Sequence, residues 1–548
     1  MTDRHRPLAL ASGLWLFVMA AALFARPPLP VDETRYLAVA WDMWLEGHFL
    51  VPHLNGEPYS HKPPLLFWLI NLGWWAFGVN EWWPRLIAPM AGLASLLLTA
   101  RLAGALWPGD GAARRFAPVL LFGGAYWALF TTLTMFDMLL ALFALLALLG
   151  LVRAARQGGF GGFALAGLAI GLGALTKGPA ILVHVLPVAV AAPWWARRLD
   201  GVTAPARLGV RWAAGVAAAV AIGAAIGLAW AVPAGIVGGP EYRDAILWGQ
   251  SAGRLVDSFA HAEPWWLYVV VLPALLLPWT AWPPAWRAAR RLGGQGGDGG
   301  MRLCTIWFVT ALLAFSTISG KQLHYLLPEL PALALLLARL LAAEAQAPPR
   351  PADAIPPALL AAAVGAAVVA LPAVVPRLTG LAGEAPWLDQ VAAGWGAAPI
   401  VAGAAVVASR QLDLAARLSA LAAMTAVAVV ALHLALKPAL AAFYDLRPLA
   451  ARLAEWQGQG IALANFGKYH GQYHFLGRLT KPIAVVGLQS GDEKAFLAAH
   501  PTGRIVAYHD ALPKRPEARP VAVFRFRSRL IAVWDAATVV ANPGITHR

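Results

Sequence analysis

Apolar runs of roughly 20 residues recur along most of the chain, and each is long enough to cross a hydrocarbon core of about 30 Å. Thirteen such segments are read from the pattern, at roughly 8–25, 84–107, 114–132, 135–152, 162–177, 179–196, 210–236, 264–286, 302–319, 322–342, 356–376, 395–409 and 418–437. The run 114–152 is divided at 131–137, because one helix of that length would overshoot the bilayer, and Gly178-Pro179 divides 162–196. Residues 8–25 are read as an uncleaved first span rather than a signal peptide, since the chain continues as a multispan protein and Pro27, Pro28 and Pro30 are poor flanks for cleavage. A β-barrel would instead show weak alternation over segments of ~10 residues.

Two intervals break this rhythm. Residues 30–68 are unusually polar and contain Asp32, Glu33, Arg35, His61 and Lys62 just where the chain leaves its first span. Beyond about residue 440, short alternating runs at 460–465, 482–487, 504–509, 521–527 and 530–535 read as strands, with helical patterns at 445–456 and 492–500. The expected organisation is a polytopic helical membrane domain over 1–440, whose loop 26–83 carries interfacial helices, followed by a small α/β domain over 441–548.

Composition supports the membrane class: 59% of the 548 residues are hydrophobic and 13% charged, against about 25% charged in soluble proteins. The formal charge of +15 does not indicate nucleic acid, because the basic residues sit in short clusters between spans, as positive cytoplasmic loops do. With the N-terminus inside, Arg114/Arg115, Arg153/Arg156, Arg197/Arg198, Arg287/Arg290/Arg291 and Arg410/Arg417 all fall on one side. The interval 30–68, Asp137, Lys177, the loop 237–263, the turn 321–325 and the tail domain then fall on the other, which in a bacterial inner membrane is the periplasmic face. Many of the 25 Trp lie at segment ends, as aromatic belts do, and the lone Cys304 excludes an intrachain disulfide.

The polar intervals supply the candidate chemistry. At about 100° per residue, Asp32, Arg35, Asp42 and Glu46 share one helical face opposite Leu37, Trp41, Trp44 and Leu45. This predicts an amphipathic helix lying in the membrane interface, with Asp32 and Glu33 as an exposed carboxylate pair suited to a base or acceptor-binding role. The alternative is an N-cap followed by a solvated face. In Ser60-His61-Lys62-Pro63-Pro64 the prolines begin a helix. A lysine at a helix N-terminus is opposed by the dipole, so Lys62 points either to a bound anion or to a headgroup anchor. Asp137 is a carboxylate inside an apolar run, Lys177 a lone cation between two, and Arg254 a candidate phosphate fork in the loop 237–263. Lys321, His324 and Tyr325 follow Gly320 at the start of a span, where Lys321 and Tyr325 can reach an oxyanion or belong to an interfacial belt. Tyr59 completes the candidate set. The chain contains no P-loop, no GxGxxG after a strand, no HExxH and no Ser/His/Asp elbow, so neither ATP nor a nucleotide sugar is indicated. Cations, carboxylates and aromatics at one membrane face suit a substrate with a lipid tail, a phosphate and a sugar.

Three motifs in order, Asp32-Glu33-x-Arg35-Tyr36, Gly47-x-x-Leu50-Val51-Pro52 and Tyr59-x-x-Lys62-Pro63-Pro64-Leu65-x-x-Trp68, resemble the membrane glycosyltransferases of family 39 and its relatives. That group includes the aminoarabinose transferases of lipid A and the protein O-mannosyltransferases, all of the GT-C fold. The segments 174–179, 319–328 and 443–445 extend the likeness over most of residues 1–440. The resemblance implies inverting transfer of a sugar from a polyprenyl (undecaprenyl) monophosphate to lipid A or another envelope lipid, glycan or protein acceptor, by a monomer without cofactor or obligate metal. It assigns Asp32 as the catalytic or acceptor-organising carboxylate, and Lys62 and Tyr325 to the donor phosphate. One departure stands out: His61 occupies a position that is acidic in the aminoarabinose transferases, which bears on the acceptor and removes a candidate metal ligand. A flippase of lipid-linked sugars is the competing class, although such transporters tend to carry internal repeats, and a non-catalytic scaffold is a third.

Overall fold

The computed structural model describes residues 6–199, 208–248, 263–290, 297–379 and 385–547. The membrane part begins with α1 (Arg6–Ala25), α2 (Asp32–Glu46), a two-residue hairpin of β1 (His53–Leu54) and β2 (Glu57–Pro58), and α3 (Leu65–Phe77). It continues through α4 (Pro84–Leu106), α5 (Gly111–Phe122), α6 (Ala125–Phe130), α7 (Phe136–Gln157), α8 (Gly161–Lys177) and α9 (Ile181–Val190). The longest later helices are Val210–Val237, Gly299–Thr317, Leu330–Ala342, Ile355–Thr379 and Leu414–Phe443. The protein is a multispan helical membrane protein.

Among the described residues nine helices are long and apolar enough to cross a membrane. The remaining expected segments are helical but short or broken: 114–132 is α5 and α6 parted at Gly123-Gly124, 264–286 is Leu267–Leu275 followed by Pro283–Ala289, and 395–409 is Ala397–Ala408. Both expected reversals are present. Phe163 of α8 and Trp195, beyond α9, each pack a ring against Trp212, at 5.1 and 6.1 Å between centroids. One continuous helix would hold these two residues about 48 Å apart, so the long apolar stretch Gly161–Val190 is an antiparallel hairpin. The reversal occurs at Gly178, whose φ of +68° is costly for any residue with a Cβ. The second reversal lies between α6 and α7. It returns Arg156 to the start of the α4–α5 connection, where its guanidinium donates to the Ala105 and Leu106 carbonyls.

Hydropathy alone does not separate core from lipid-facing helices. In α7, 83% of the most apolar window is buried, against 22% in Val210–Val237, although both are strongly apolar. A helix apolar all round is buried by protein or by lipid. Here α7 is enclosed by α4, α8, α9 and the turn before Leu330–Ala342, and it carries a buried acid, Asp137.

Beyond Phe443, the helix Arg447–Gly458 leads into a five-stranded sheet in the order β4-β3-β5-β7-β6, from β3 (Leu463–Phe466), β4 (Ala484–Val486), β5 (Arg504–His509), β6 (Ala522–Phe526) and β7 (Arg529–Asp535). The first three strands pair in parallel, while β7 joins β5 and β6 antiparallel. Side chains alternate between two cores, with Val506, Ile531 and Val533 on one face and Ile505, Ala507, Ala532 and Trp534 on the other.

One sequence expectation is corrected. α2 does not lie open on a membrane surface; Tyr36, Leu37, Val39, Ala40, Trp41 and Met43 are buried because the helix is clamped between the membrane helices and the sheet domain. Asn71 of α3 donates to the Ala40 carbonyl at 3.1 Å, and Trp41 donates to the Leu479 carbonyl at 2.8 Å. The amphipathic pattern was real, but its apolar face is met by α3 and Phe475 rather than by lipid. The closest approach is Gly471, at φ +73°, where a Cβ would stand 2.5 Å from Leu54 and 2.9 Å from Ala38. Gly471→Val combines that clash with left-handed strain of about 1–3 kcal/mol. It is expected to loosen the sheet domain, read as faster limited proteolysis around residues 443–447 and a lower Tm in detergent.

Candidate active site

Two carboxylates define the site, and one buried ion pair sets both. Arg26 follows α1, and its guanidinium grips Glu33 in the first turn of α2, with Nη2 to Oε1 at 3.0 Å. The same guanidinium donates to the Thr132 carbonyl. Glu33 in turn accepts from the backbone N–H groups of Thr134 (2.7 Å) and Leu29 (2.8 Å). Burial pushes the Glu33 carboxyl up, but Arg26 and these two amides outweigh it and hold the group below the ordinary carboxylate range. Glu33 is 2% exposed and has no free edge, so the expected exposed Asp32/Glu33 pair is corrected: Glu33 is a structural anchor and Asp32 stands alone.

Asp32 has a half-exposed side chain and pairs with Arg35 one turn on. Burial works against charge on Arg35, but Tyr59, Asp32 and Tyr36 together hold its pKa above the ordinary value. Tyr36 is pushed well above its usual range by burial and by Asp32, so it remains a phenol. Tyr59 is buried and stacks on His61, with ring centroids 5.2 Å apart. Pro64 precedes α3, which starts at Leu65 as the paired prolines predicted.

Asp137 sits in the first turn of α7, buried, and forms an ion pair with Lys177, the last residue of α8. His324 Nε2 approaches the other Asp137 oxygen at 3.8 Å. The Lys177 ammonium also lies over the Tyr325 ring, 4.4 Å from its centroid. His324 is the point of convergence, within electrostatic reach of Asp137, Lys177, Lys62 and Asp32. The structure therefore gathers Asp32, Arg35, Lys62, Asp137, Lys177, His324 and Tyr325 from five separate segments at one end of the helices.

Two expected donor-phosphate residues are not in this cluster. Lys321 is 5% exposed, and its ammonium is held by the backbone carbonyls of Glu263 and Ile318; it closes a turn beside the site. Arg254 lies outside the described residues. Sequence reasoning missed His470, which lies within electrostatic reach of Arg35 and Asp32. Burial together with Arg35 and Lys468 holds its pKa below the ordinary value. The available signal was the run Gly467-Lys468-Tyr469-His470-Gly471, a basic loop bounded by glycines directly after a strand, with φ of +79° and +73° at its ends.

Three cations (Arg35, Lys62, Lys177) surround two carboxylates (Asp32, Asp137), which leaves a net positive field. Such a field favours an anion, with the half-exposed carboxylate of Asp32 beside it. Together with the helical bundle, the clamped α2 and the appended sheet, this gives the chain the fold of the GT-C membrane glycosyltransferases. Residues 61–230 match the family model described as dolichyl-phosphate-mannose-protein mannosyltransferase. The crystal structure of ArnT from Cupriavidus metallidurans bound to undecaprenyl phosphate superposes with a TM-score of 0.75 at 19% identity, covering 96% of this chain and 98% of that one. In sequence, the chain is 31% identical over 352 residues to undecaprenyl phosphate-alpha-4-amino-4-deoxy-L-arabinose arabinosyl transferase 2 of Pseudomonas fluorescens, a match covering 61% of this chain and 59% of the relative. The corresponding transferase of Pseudomonas savastanoi pv. phaseolicola is 32% identical over 351 residues, 62% of each chain. The sequence matches thus span about three fifths of these relatives' length.

Replacing Glu33 separates its role from that of Asp32. Glu33→Gln leaves Arg26 buried without its counter-charge and is expected to cost about 3–5 kcal/mol, seen as a lower Tm and less monodisperse protein. Because the folded pKa of Glu33 is depressed, its stabilising contribution is present above the unfolded carboxylate pKa and is lost as pH falls through the folded value. The Tm difference between Glu33→Gln and the parent should therefore shrink on acidification.

Proposed function

We propose that this protein transfers a sugar from a polyprenyl monophosphate, undecaprenyl phosphate being the carrier, to a lipid A or other envelope glycan acceptor, with inversion at the anomeric carbon. The observation that carries this reading is the convergence of Lys62, Lys177 and His324 on Asp137, with Tyr325 beneath the Lys177 ammonium and Asp32 within electrostatic reach of His324. The similar arabinosyl transferases supply the donor class.

In this reading the acceptor hydroxyl attacks the anomeric carbon opposite the phosphate. The bond from that carbon to the phosphate oxygen breaks, and the polyprenyl phosphate leaves. Lys62, with Tyr325, faces the phosphate and stabilises the charge that grows on it, which is the largest contribution such a site can make. Asp32 takes or orients the acceptor proton. Asp137 holds the Lys177 side chain in place through their ion pair. His61, adjacent to Lys62, stands where related enzymes of the aminoarabinose branch carry an acid, and we assign it to the acceptor side. The topology that fits has a cytoplasmic N-terminus, the site and the sheet domain on the periplasmic face of the inner membrane, and a monomer as the working unit.

Asp32→Asn is expected to lower transfer from a synthetic polyprenyl-phosphate sugar by at least about 10²-fold with unchanged Tm, since Asp32 contributes no buried contact. Lys62→Ala should lower kcat at least as much as it raises the KM for the donor, since the lysine is assigned to charge that grows in the transition state. Near-normal turnover by Asp32→Asn, or donor flipping between leaflets without a glycosidic product, would reject the assignment.

A further inference from the structure

The last turn of α2 and the hairpin after it bring together three side chains that the proposed reaction does not use. Asp42, His48 and His53 each aim one ligand atom at a common point, and these atoms lie within 4.8 Å of one another. The His48 Nδ1 to Asp42 Oδ1 separation is 3.5 Å. The two imidazoles face each other with centroids 4.1 Å apart and planes at 37°. Among the described residues this is the one grouping of three His, Cys, Asp or Glu side chains that converges so closely.

The surroundings orient these groups. His53 Nδ1 lies 2.7 Å from the Val51 carbonyl, where it acts as donor. That fixes the tautomer and leaves the Nε2 lone pair free, the arrangement found in histidines that bind metal. Asp42 Oδ2 accepts from the Gly56 N–H at 3.3 Å, leaving Oδ1 for a ligand. The hairpin itself is rigid: Asn55, at φ +59°, exchanges two hydrogen bonds with the Ile483 backbone at 2.9 and 2.8 Å. His48 is the most exposed of the three and is free to close the final distance. Zinc bonds of about 2.0–2.2 Å place neighbouring ligand atoms about 3.4 Å apart, so the movement needed is about 1 Å, on the side chain best able to move.

We propose that Asp42, His48 and His53 form a divalent transition-metal site, with zinc as the preferred ion and solvent completing the coordination. Two imidazoles and one carboxylate suit zinc far better than magnesium or calcium, which prefer all-oxygen sets. The metal is structural. It ties α2, which opens with Asp32, to the hairpin that leads into Tyr59, His61 and Lys62, where the Tyr59 N–H already donates to the Pro52 carbonyl at 2.7 Å. The expectation of no metal rested on the lone cysteine, the absence of an HExxH motif and the family resemblance, and Asp42, His48 and His53 were not among the sequence candidates.

The test uses full-length, tag-free protein in detergent, stripped with a chelator and titrated with Zn2+ or Co2+. The expected result is one ion bound per chain, Co2+ absorption bands typical of mixed nitrogen and oxygen ligation, and a raised Tm. His53→Ala and Asp42→Asn should each weaken binding by at least about 10-fold. His48→Gln, at an exposed position, removes one of the two imidazole ligands and should change the Co2+ spectrum and weaken binding. Stoichiometric binding unchanged in the His48→Gln/His53→Ala variant, or no uptake above that variant by the parent protein, would overturn the site. Because the readout is metal binding, its failure leaves the glycosyltransferase reading untouched.

Discussion

The pairing of Arg26 with Glu33 is the constraint on which the active-site geometry depends. It joins the exit of α1, the first turn of α2 and the turn before α7 through one guanidinium and one carboxylate. Asp32 immediately precedes Glu33, and Asp137 follows Thr134 by three residues, so both acids of the site inherit their positions from this single contact. A guanidinium buried this deeply needs every donor occupied or offset, and the pair meets most of that need through backbone carbonyls and amides. The consequence is that the two carboxylates cannot drift independently, although they belong to different helices.

Much of the fold was legible because membrane spans announce themselves. Apolar runs of bilayer length, broken at Gly178-Pro179 and at 131–137, predict both reversals. The strands read at 504–509 and 530–535 were equally plain and match β5 and β7, whose residues alternate between two cores. The failures share one cause. Amphipathicity in α2 says that an apolar face is covered, not by what, so an interfacial helix and a helix clamped by Phe475 and Trp41 contacts read alike. Glu33 shows the same limit: two adjacent acids at the start of a helix look equivalent in sequence, yet the helical turn of about 100° sends one to solvent and the other to Arg26. His470 was invisible because its partners, Asp32 and Arg35, are more than 400 residues away in the chain.

The sheet domain is therefore part of the site rather than an appendage. Phe475 stacks on Trp74 with planes within 6° and centroids 5.0 Å apart, and Arg527 donates to the Pro30 carbonyl at 2.8 Å, two residues before Asp32. The domain caps α2 and brings a basic loop to its exposed side, so the surface around Asp32 is shaped jointly by the membrane bundle and the sheet.

The Asp137–Lys177 pair has a direction as well as an attraction. α7 begins at the site and α8 ends there, so the acid occupies a helix N-terminus, where backbone N–H groups point, and the lysine a C-terminus, where carbonyls point. Exchanging the two charges would preserve their mutual Coulomb energy while setting each against its own helix. The polarity of the site is thus written into the antiparallel run of its two supporting helices, and only a hairpin traced in the opposite chain direction would favour the acid and the lysine in exchanged places.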